Sequence, residues 1–298
     1  EYIIPAEPPP TPTPIPAPTV PHTVVDWDDY DGDGTSDLAV YNPTTGAWSV
    51  ENITSGVIWG GGGGDLPAPG DYDGDGDADL AYFDRYSGRW YVRDTVTGET
   101  IIDGELWGGW GDVPVPGDYD GDGTADPATW GLDDGRWKIR DITNKWYGQV
   151  EGIYPVPGDY DGDGCTDMAM IWPSDQGGTN IWYVNGIRNR RWMVDGWIPI
   201  PMDYDGDGTT DLGVFDPDTG KWAIRHLNRN VFYFSYWGIP GDTPLAGDFD
   251  GDGLADPAIY RYARGQSWWW IKYSTLPNYY SHFSAGTGDT IAVGATSY

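Results

Sequence analysis

The chain has 298 residues, with 47 acidic side chains against 16 lysines and arginines, and its formal net charge is −31. Nucleic acid is excluded as an expected partner because phosphate binding needs a basic face. Direct membrane insertion is also excluded, because no apolar run approaches the ~20 residues of a membrane span.

Residues 1–22 form a proline-rich N-terminal arm. Nine of the 25 prolines lie there, many of them alternating with other residues as far as Pro18. This composition favours an extended polyproline II chain and cannot build a core. The tip, Tyr2-Ile3-Ile4, is apolar and strand-like. We expect the arm to dock on an adjacent copy by adding a strand to an exposed sheet edge, with docking on its own propeller as the alternative.

A nine-residue acidic pattern, D-x-D-G-D-G-x-x-D, occurs six times, at residues 29–37, 71–79, 118–126, 159–167, 203–211 and 248–256. We name these segments loops 1 to 6 and number their residues by position. Four carboxylates so close together repel one another, and a cation among them removes that repulsion. Oxygen ligands at this spacing suit calcium, and glycine at positions 4 and 6 allows the tight turn that brings them together. The pattern begins like an EF-hand loop but lacks its Glu at position 12, and the apolar residues after position 9 predict a departing strand.

The predicted ligands are the four aspartates of each loop and the residue at position 7, which would offer its backbone carbonyl. They are Asp29, Asp31, Asp33, Thr35, Asp37, Asp71, Asp73, Asp75, Asp77, Asp79, Asp118, Asp120, Asp122, Thr124, Asp126, Asp159, Asp161, Asp163, Cys165, Asp167, Asp203, Asp205, Asp207, Thr209, Asp211, Asp248, Asp250, Asp252, Leu254 and Asp256. The sequence therefore predicts about six bound Ca²⁺ ions. The alternative is a set of acidic surface turns, but turns alone do not need Asp at position 9 in every copy.

From residue 29 onward the chain repeats a unit of 41 to 47 residues, and no helical period is present. Each unit has an apolar run after the loop, a turn, an alternating strand that opens near a tryptophan, a third strand, and a pre-loop strand such as 113–117. Four short strands per repeat predict an all-β fold, a β-propeller over residues 23–298. Six loops favour six blades, with seven as the alternative. The run 288–294 resembles the pre-loop run and is interpreted as a closing strand between the last and first blades. The alternative is that residues 22–26 form this strand.

The loop and the strand after it resemble the FG-GAP/VCBS repeat of integrin α-subunit heads and of many bacterial secreted proteins. The residues that carry the resemblance are 70–81 and their five copies, and it extends over about 23–298. It implies a calcium-stabilised propeller on a cell surface or in secreted material. The chain departs from the repeat after the strand, where Tyr41-Asn42-Pro43 replaces Gly-Ala-Pro. A similar class of fungal lectins binds sugars between the blades of such propellers.

Tryptophan is unusually abundant, with 18 residues. We expect the tryptophans that open the central strands to pack between blades; they are Trp48, Trp90, Trp137, Trp182 and Trp222, with Trp268 at the equivalent place in the last unit. Other tryptophans remain candidates for sugar stacking; they are Trp59, Trp107, Trp110, Trp146, Trp197 and Trp237. Trp268, Trp269 and Trp270 cannot all point inward on one strand. Three arginines that follow the central tryptophans, Arg93, Arg140 and Arg225, are expected to pair with loop carboxylates of a neighbouring strand or blade, in a structural role.

The expected function is that of an extracellular structural or adhesive subunit, assembled head-to-tail into a filament or surface layer through residues 1–22. The alternative is a lectin that binds glycans in Trp-lined pockets. An enzyme is not expected, because His22, His226 and His282 form no recognisable constellation and no nucleophile elbow, zinc motif or phosphate loop occurs. Secretion is expected because calcium is abundant outside cells and the lone Cys165 allows no internal disulfide. A mature secreted chain is also expected from the start at Glu1 without a visible signal peptide, and sugar can be attached at Asn52, Thr11, Thr13 or Thr19.

Overall fold

The computed structural model describes residues 28–148, 152–172, 179–187, 190–192, 196–229, 231–263, 266–274 and 291–293. Within them the chain forms twenty-three β-strands in six antiparallel sheets, and no helix. The six sheets are the blades of a β-propeller, so the predicted all-β fold and its six blades are confirmed. The predicted arm at residues 1–22, with Thr11, Thr13 and Thr19, lies outside the described residues. No described segment is a helix able to span a membrane.

The blades are numbered by their loops. Blade 1 contains β1 (Ala39–Asn42), β2 (Ala47–Val50), β3 (Thr54–Ile58) and the C-terminal β23 (Ile291–Val293). Blade 2 contains β4 (Asp65–Pro67), β5 (Leu80–Asp84), β6 (Arg89–Arg93) and β7 (Thr100–Leu106). Blade 3 contains β8 (Val113–Pro114), β9 (Ala128–Trp130), β10 (Arg136–Ile139) and β11 (Thr143–Trp146).

The remaining three blades follow the same order. Blade 4 contains β12 (Tyr154–Pro155), β13 (Ala169–Trp172), β14 (Ile181–Val184) and β15 (Arg190–Arg191). Blade 5 contains β16 (Ile198–Pro199), β17 (Leu212–Asp216), β18 (Lys221–Arg225) and β19 (Phe232–Tyr236). Blade 6 contains β20 (Thr243–Gly247), β21 (Asp256–Ala263) and β22 (Gln266–Ile271) among the residues that the structure describes.

Each of loops 2 to 6 connects the first strand of its blade to the second. In blade 2, Gly70 and Asp79 form an antiparallel bridge at the base of the hairpin, and the same bridge occurs in blades 3, 4 and 5. First strands of neighbouring blades approach each other, as β4 and β8 do. The fourth strands, in contrast, are largely exposed, as the patterns of β11 and β19 show. The loops therefore belong to the inner part of the propeller, where adjacent blades meet.

The C-terminal strand closes the propeller. Strand β23 pairs antiparallel with β1, and the register places Val293 opposite Ala39 and Ile291 opposite Tyr41. The predicted closing strand is thereby confirmed, since the last strand of the described chain completes the first blade. The competing segment 22–26 lies outside the described residues.

A buried tryptophan occupies each of the six interfaces between blades. In every blade the residue four places after the last loop aspartate lies opposite this tryptophan on the neighbouring strand. The pairs are Tyr41–Trp48, Phe83–Trp90, Trp130–Trp137, Ile171–Trp182, Phe215–Trp222 and Tyr260–Trp269. Each tryptophan packs in a cluster shared with the next blade, as Trp48 does with Leu80. The prediction that the central tryptophans pack between blades is therefore confirmed for Trp48, Trp90, Trp137, Trp182 and Trp222.

In blade 6 the buried tryptophan is Trp269, and the prediction of Trp268 at this place was wrong. The β21–β22 hairpin is longer than the corresponding hairpins of blades 1, 2, 3 and 5, so counting from the loop selects the wrong residue. Trp268 and Trp270 stack on the opposite face of the strand, with ring centroids 6.1 Å apart. As predicted, the three do not share one face.

The other tryptophans divide into packed and exposed ones. Four of the candidates for sugar stacking pack against the interblade clusters; they are Trp59, Trp107, Trp197 and Trp237. Trp110 and Trp146 remain 69% and 62% exposed. Only these two, among the described loop tryptophans proposed for ligand stacking, offer a mostly free ring.

The three arginines after the central tryptophans lie on the flanks of the blades. Arg140 pairs with Glu105 of β7 at 3.0 Å, so its partner belongs to the neighbouring blade as predicted but lies on a strand and not in a loop. The guanidinium of Arg93 lies 5.8 Å from the ring centroid of Trp59, and that of Arg225 lies 5.2 Å from that of Phe232. These contacts join neighbouring strands and blades through cation–π stacking.

Candidate metal centres

The aspartate at position 1 organises each loop. In loop 3, Asp118 accepts the backbone N–H groups of Gly121, Asp122 and Gly123 at 2.6, 3.1 and 2.9 Å. Equivalent bonds reach Asp29, Asp71, Asp159, Asp203 and Asp248. The glycines at positions 4 and 6 all have φ between 69° and 98°, a conformation that side chains with a Cβ rarely adopt. Glycine is therefore required for this closed turn.

The aspartate at position 9 is the most buried of the four in loops 2, 5 and 6. In loop 2, Asp79 is 1% exposed and accepts the N–H of Tyr72 at 2.8 Å. The Tyr72 hydroxyl donates to the carbonyl of Ala68 at 2.7 Å. The tyrosines of loops 3, 4 and 5 make the same two bonds. The position-2 tyrosine thus anchors the loop in its own blade and holds the position-9 carboxylate in the interior.

The residue at position 7 connects neighbouring loops. Its backbone N–H donates to the position-5 carboxylate in all six loops, as Thr124 does to Asp122 at 2.9 Å. Its side chain lies beside the position-4 glycine of the preceding loop, and a Cβ built on Gly74 would be 3.1 Å from the Thr124 methyl group. The carbonyls predicted to be ligands at this position belong to Thr35, Asp77, Thr124, Cys165, Thr209 and Leu254, and their role stays a prediction.

Backbone hydrogen bonds join the six loops into a closed ring. The N–H at position 8 of each loop donates to the position-1 carbonyl of the preceding loop. The six bonds are Ala78 to Asp29, Ala125 to Asp71, Thr166 to Asp118, Thr210 to Asp159, Ala255 to Asp203 and Ser36 to Asp248, at 2.6 to 2.8 Å. We call this arrangement the loop ring. An ion bound in one loop would therefore restrain the backbone of the next.

Carboxylates converge within the loops. Ligand-type atoms lie within 4.8 Å of one another in Asp29, Asp31 and Asp33 of loop 1, and in Asp118, Asp120 and Asp122 of loop 3. Loop 2 forms two such sets, Asp71 with Asp73 and Asp79, and Asp73 with Asp75 and Asp94; loop 5 joins Asp205 and Asp211 to His226. An all-oxygen set of carboxylates fits a hard cation such as Ca²⁺. The predicted aspartates that belong to these sets could thus hold calcium.

Burial raises the pKa of every position-9 aspartate, and neighbouring carboxylates add to the effect. The pKa rises to about 7 for Asp37, about 8 for Asp79, about 6 for Asp126, Asp167 and Asp211, and about 9 for Asp256. Without a cation, ionising these groups at neutral pH therefore costs free energy. A bound dication would offset that cost by stabilising the charged form.

We predict that the metal-free protein becomes less stable as pH rises from about 5 to 8. The folded pKa of Asp79 and Asp256 is raised above the unfolded value, so the folded chain holds protons that the unfolded chain has released. Stability is then present at low pH and is lost as pH rises through the folded pKa. Melting curves of chelated protein across this range measure the effect, with calcium-loaded protein as the control. A metal-free melting temperature that increases with pH would contradict the prediction.

Two residues near the loops were not identified from the sequence as candidate ligands. Asp94 joins the carboxylates of loop 2, and His226 joins those of loop 5. Each stands four residues after the buried tryptophan of its blade, Trp90 and Trp222 respectively. This common spacing is the signal that would have found them. His226 therefore has acidic neighbours that the sequence did not reveal.

Comparisons with known proteins concern the fold. No protein-family model and no curated protein matches the chain. Among solved structures, TolB from Acinetobacter baumannii has a TM-score of 0.54 at 13% identity, covering 85% of this chain and 64% of that one. An Agrocybe aegerita lectin that recognises non-reducing terminal N-acetylglucosamine has a TM-score of 0.49 at 14% identity, covering 91% and 86%. The dihydro-heme d1 dehydrogenase NirN has a TM-score of 0.37 at 13% identity, covering 86% and 55%. At these identities the likeness to TolB shows a propeller fold and nothing about activity.

Proposed function

We propose that the chain is a calcium-stabilised propeller of the FG-GAP/VCBS type that serves outside the cell as a structural or adhesive subunit, without catalytic activity. The loop ring is the observation that carries this proposal. Six acidic turns have the same hydrogen-bond pattern, and the bond from Ser36 to Asp248 closes them into a ring where the blades meet. Ions bound in these turns would stabilise the whole propeller rather than one turn.

The composition supports an extracellular location. Calcium sites built from loop carboxylates and backbone carbonyls fit a compartment in which calcium is plentiful, and extracellular modules bind it with Kd values of about 10⁻⁴–10⁻³ M. The single cysteine, Cys165, allows no internal disulfide. Metal ions would then supply the cross-links that disulfides supply in many other secreted domains.

The outermost strand of blade 5 is the candidate contact surface for assembly. In β19, Phe232, Tyr233, Phe234 and Tyr236 are between 46% and 61% exposed. An exposed edge strand with large apolar side chains is a template for pairing with another chain. The apolar tip of the arm, Tyr2-Ile3-Ile4, has residues suited to that pairing. We propose that the arm of one copy docks on such an edge of the next copy, which gives an open filament when the contact does not close.

Deletion of residues 1–22 tests the assembly. We expect the full-length chain to sediment as oligomers in calcium and the truncated chain to sediment as a monomer, because the truncation removes the docking segment. The melting temperature of the truncated chain in calcium should be unchanged, which serves as the control for folding. Equal association of the two chains, or a monomeric full-length chain at high concentration, would show that the arm does not mediate assembly.

Carbohydrate binding is the second candidate function, and two exposed aromatic residues on adjacent turns favour it. Trp110 lies beside the turn that carries Tyr86, because the N–H of Gly111 donates to the carbonyl of Arg85 at 2.9 Å. Both rings are more than half exposed. Exposed rings can present an apolar face and a polar tip to a sugar.

If the intact chain binds a glycan on an array, we expect Trp110→Ala to lose that binding and Trp146→Ala to keep it. Trp146 is the control because its ring is exposed on β11, apart from Trp110 and Tyr86. An unchanged melting temperature in both variants excludes unfolding as the cause. Absence of binding by the intact chain across the array would remove this candidate.

A further inference from the structure

Loop 5 differs from the other loops in the imidazole that its covering segment supplies; the segment after β22 covers loop 6 in the same way, with Ser274 N–H donating to Asp256 Oδ1 at 2.6 Å. Residues 226–229 follow β18 and cross loop 5, where Leu227 N–H donates to Asp211 Oδ1 at 3.0 Å and Asn228 Nδ2 donates to Asp207 Oδ2 at 3.1 Å. These bonds direct the His226 ring into the carboxylate set. Its Nδ1 lies 2.7 Å from Asp211 Oδ2 and 3.4 Å from Asp205 Oδ2. A nitrogen donor therefore faces two buried carboxylates.

The Asp205 carboxylate is the second observation that points to a ligand. Its side chain is 8% exposed, and neither of its oxygens has a hydrogen bond. Its polar neighbours are His226 and the guanidinium of Arg229, 3.2 Å away. A buried carboxylate is stable when it is paired with a charge or coordinates a metal. The Asp211 side chain beside it is still more buried, at 1% exposed.

We infer that loop 5 is a mixed nitrogen–oxygen metal site that takes a transition-metal ion of the Zn²⁺ class, with Asp205, Asp211 and His226 as ligands. Imidazole nitrogen is a good ligand for Zn²⁺ and its neighbours in the first transition row, whereas Ca²⁺ takes oxygen ligands. The 2.7 Å contact between His226 Nδ1 and Asp211 Oδ2 is a hydrogen bond, so metal binding requires the shared proton to leave; the neutral imidazole would then present its Nδ1 lone pair to the ion, and the carboxylates would supply the negative charge. In blade 2 the equivalent residue is Asp94, an oxygen donor, so that loop keeps the preference for calcium.

Arg229 competes with the ion for the Asp205 carboxylate. Its side chain is 57% exposed, and an ion pair of such an exposed group is weak. The guanidinium can therefore leave Asp205 for solvent when a metal ion enters, while His226 is held by its buried surroundings. Removal of Arg229 should strengthen metal binding, and removal of His226 should weaken it.

Titration of the calcium-saturated full-length protein with ZnCl₂ tests the inference, which rests on the proposed cation-binding role of the loops. We expect one Zn²⁺ per chain. Binding should be at least about tenfold weaker in His226→Gln, because the loss of a ligand should cost no less than the loss of an outer-shell partner. Binding should be tighter in Arg229→Gln. Co²⁺ in place of Zn²⁺ should give a visible absorption band that His226→Gln loses. Asp141→Asn, four residues after Trp137 of blade 3 and 88% exposed, is the matched control and should leave Zn²⁺ binding unchanged.

The two proposals fail in different ways. Zinc binding that is absent, or that persists unchanged in His226→Gln, overturns the inference and leaves calcium stabilisation of the other loops untouched. A chain whose melting temperature does not respond to calcium, but which binds Zn²⁺ in a His226-dependent manner, supports the inference and overturns the proposed calcium function.

Discussion

Removal of calcium is expected to lower the melting temperature by tens of degrees. A ligand that binds only the folded state contributes about 1.4 kcal/mol per site at a free concentration ten times its Kd, which is the ratio for millimolar calcium and a Kd of about 10⁻⁴ M. Five such sites, with loop 5 left aside, would together contribute about 7 kcal/mol, which is comparable to the whole free energy of unfolding of an ordinary domain. Position-9 aspartates such as Asp79 would also be left buried without a counter-charge. Calorimetry in excess EDTA and in millimolar calcium measures the difference.

A pair of single substitutions sharpens this experiment. Asp118→Asn removes a charge and an acceptor at the centre of loop 3, and we expect it to lose one calcium ion and part of the calcium-dependent rise in melting temperature. Asp133→Asn removes the same charge from an exposed turn outside the loops and should change neither quantity. Identical melting curves with and without EDTA would exclude a stabilising role for calcium.

Trp90→Ala is expected to destabilise the fold by about 3–5 kcal/mol, the usual loss when a large aromatic side chain is removed from a core. Trp90 is fully buried and packs with Phe83 of its own blade and Ala125 of the next. Its Nε1 donates to the carbonyl of Trp107 at 2.7 Å, and truncation leaves that carbonyl without its partner. At about 2–4 °C per kcal/mol, the melting temperature should fall by roughly 10 °C.

Trp146→Ala provides the control, because it deletes the same side chain from the exposed strand β11. Its effect on the free energy of unfolding should lie within about 0.5 kcal/mol. Chemical denaturation of both variants in saturating calcium separates packing from metal binding. Equal losses in the two variants would mean that the interblade tryptophans do not carry the packing energy assigned to them.

The fold could be predicted from the sequence because every repeat contains the same local signals. Glycines at positions 4 and 6 dictate the loop turn, and the alternation around Trp90 or Trp222 indicates a strand with one buried face. The resemblance of 288–294 to a pre-loop strand was enough to predict closure, and β23 pairs with β1 accordingly. These features depend on short stretches of sequence, which a repeat displays several times.

The contacts between segments could not be predicted in the same way. His226 and Asp94 reach the loops only because β18 and β6 pair with the strands that leave those loops, so their approach depends on strand register. The register also decides that Trp269, opposite Tyr260, is the buried residue of blade 6. Arg140 extends towards Glu105 of the neighbouring blade, a partner that the spacing along its own strand does not reveal. Such contacts follow from the arrangement of blades and not from the repeat itself.

The closure of the propeller between blades 6 and 1, which we call the seam, affects the order in which the chain folds. Strands β1 and β23 come from opposite ends of the described chain, so blade 1 cannot be completed until the C-terminal strand has been synthesised. Pairing of strands that are far apart in the sequence is slow, and the unpaired edge of the incomplete sheet is prone to aggregation until the last strand pairs with it. The loop ring crosses the same seam through Ser36 and Asp248. In a secreted chain, the early loops would meet external calcium before the ring closes, and ion binding would then help to order the folding of successive blades.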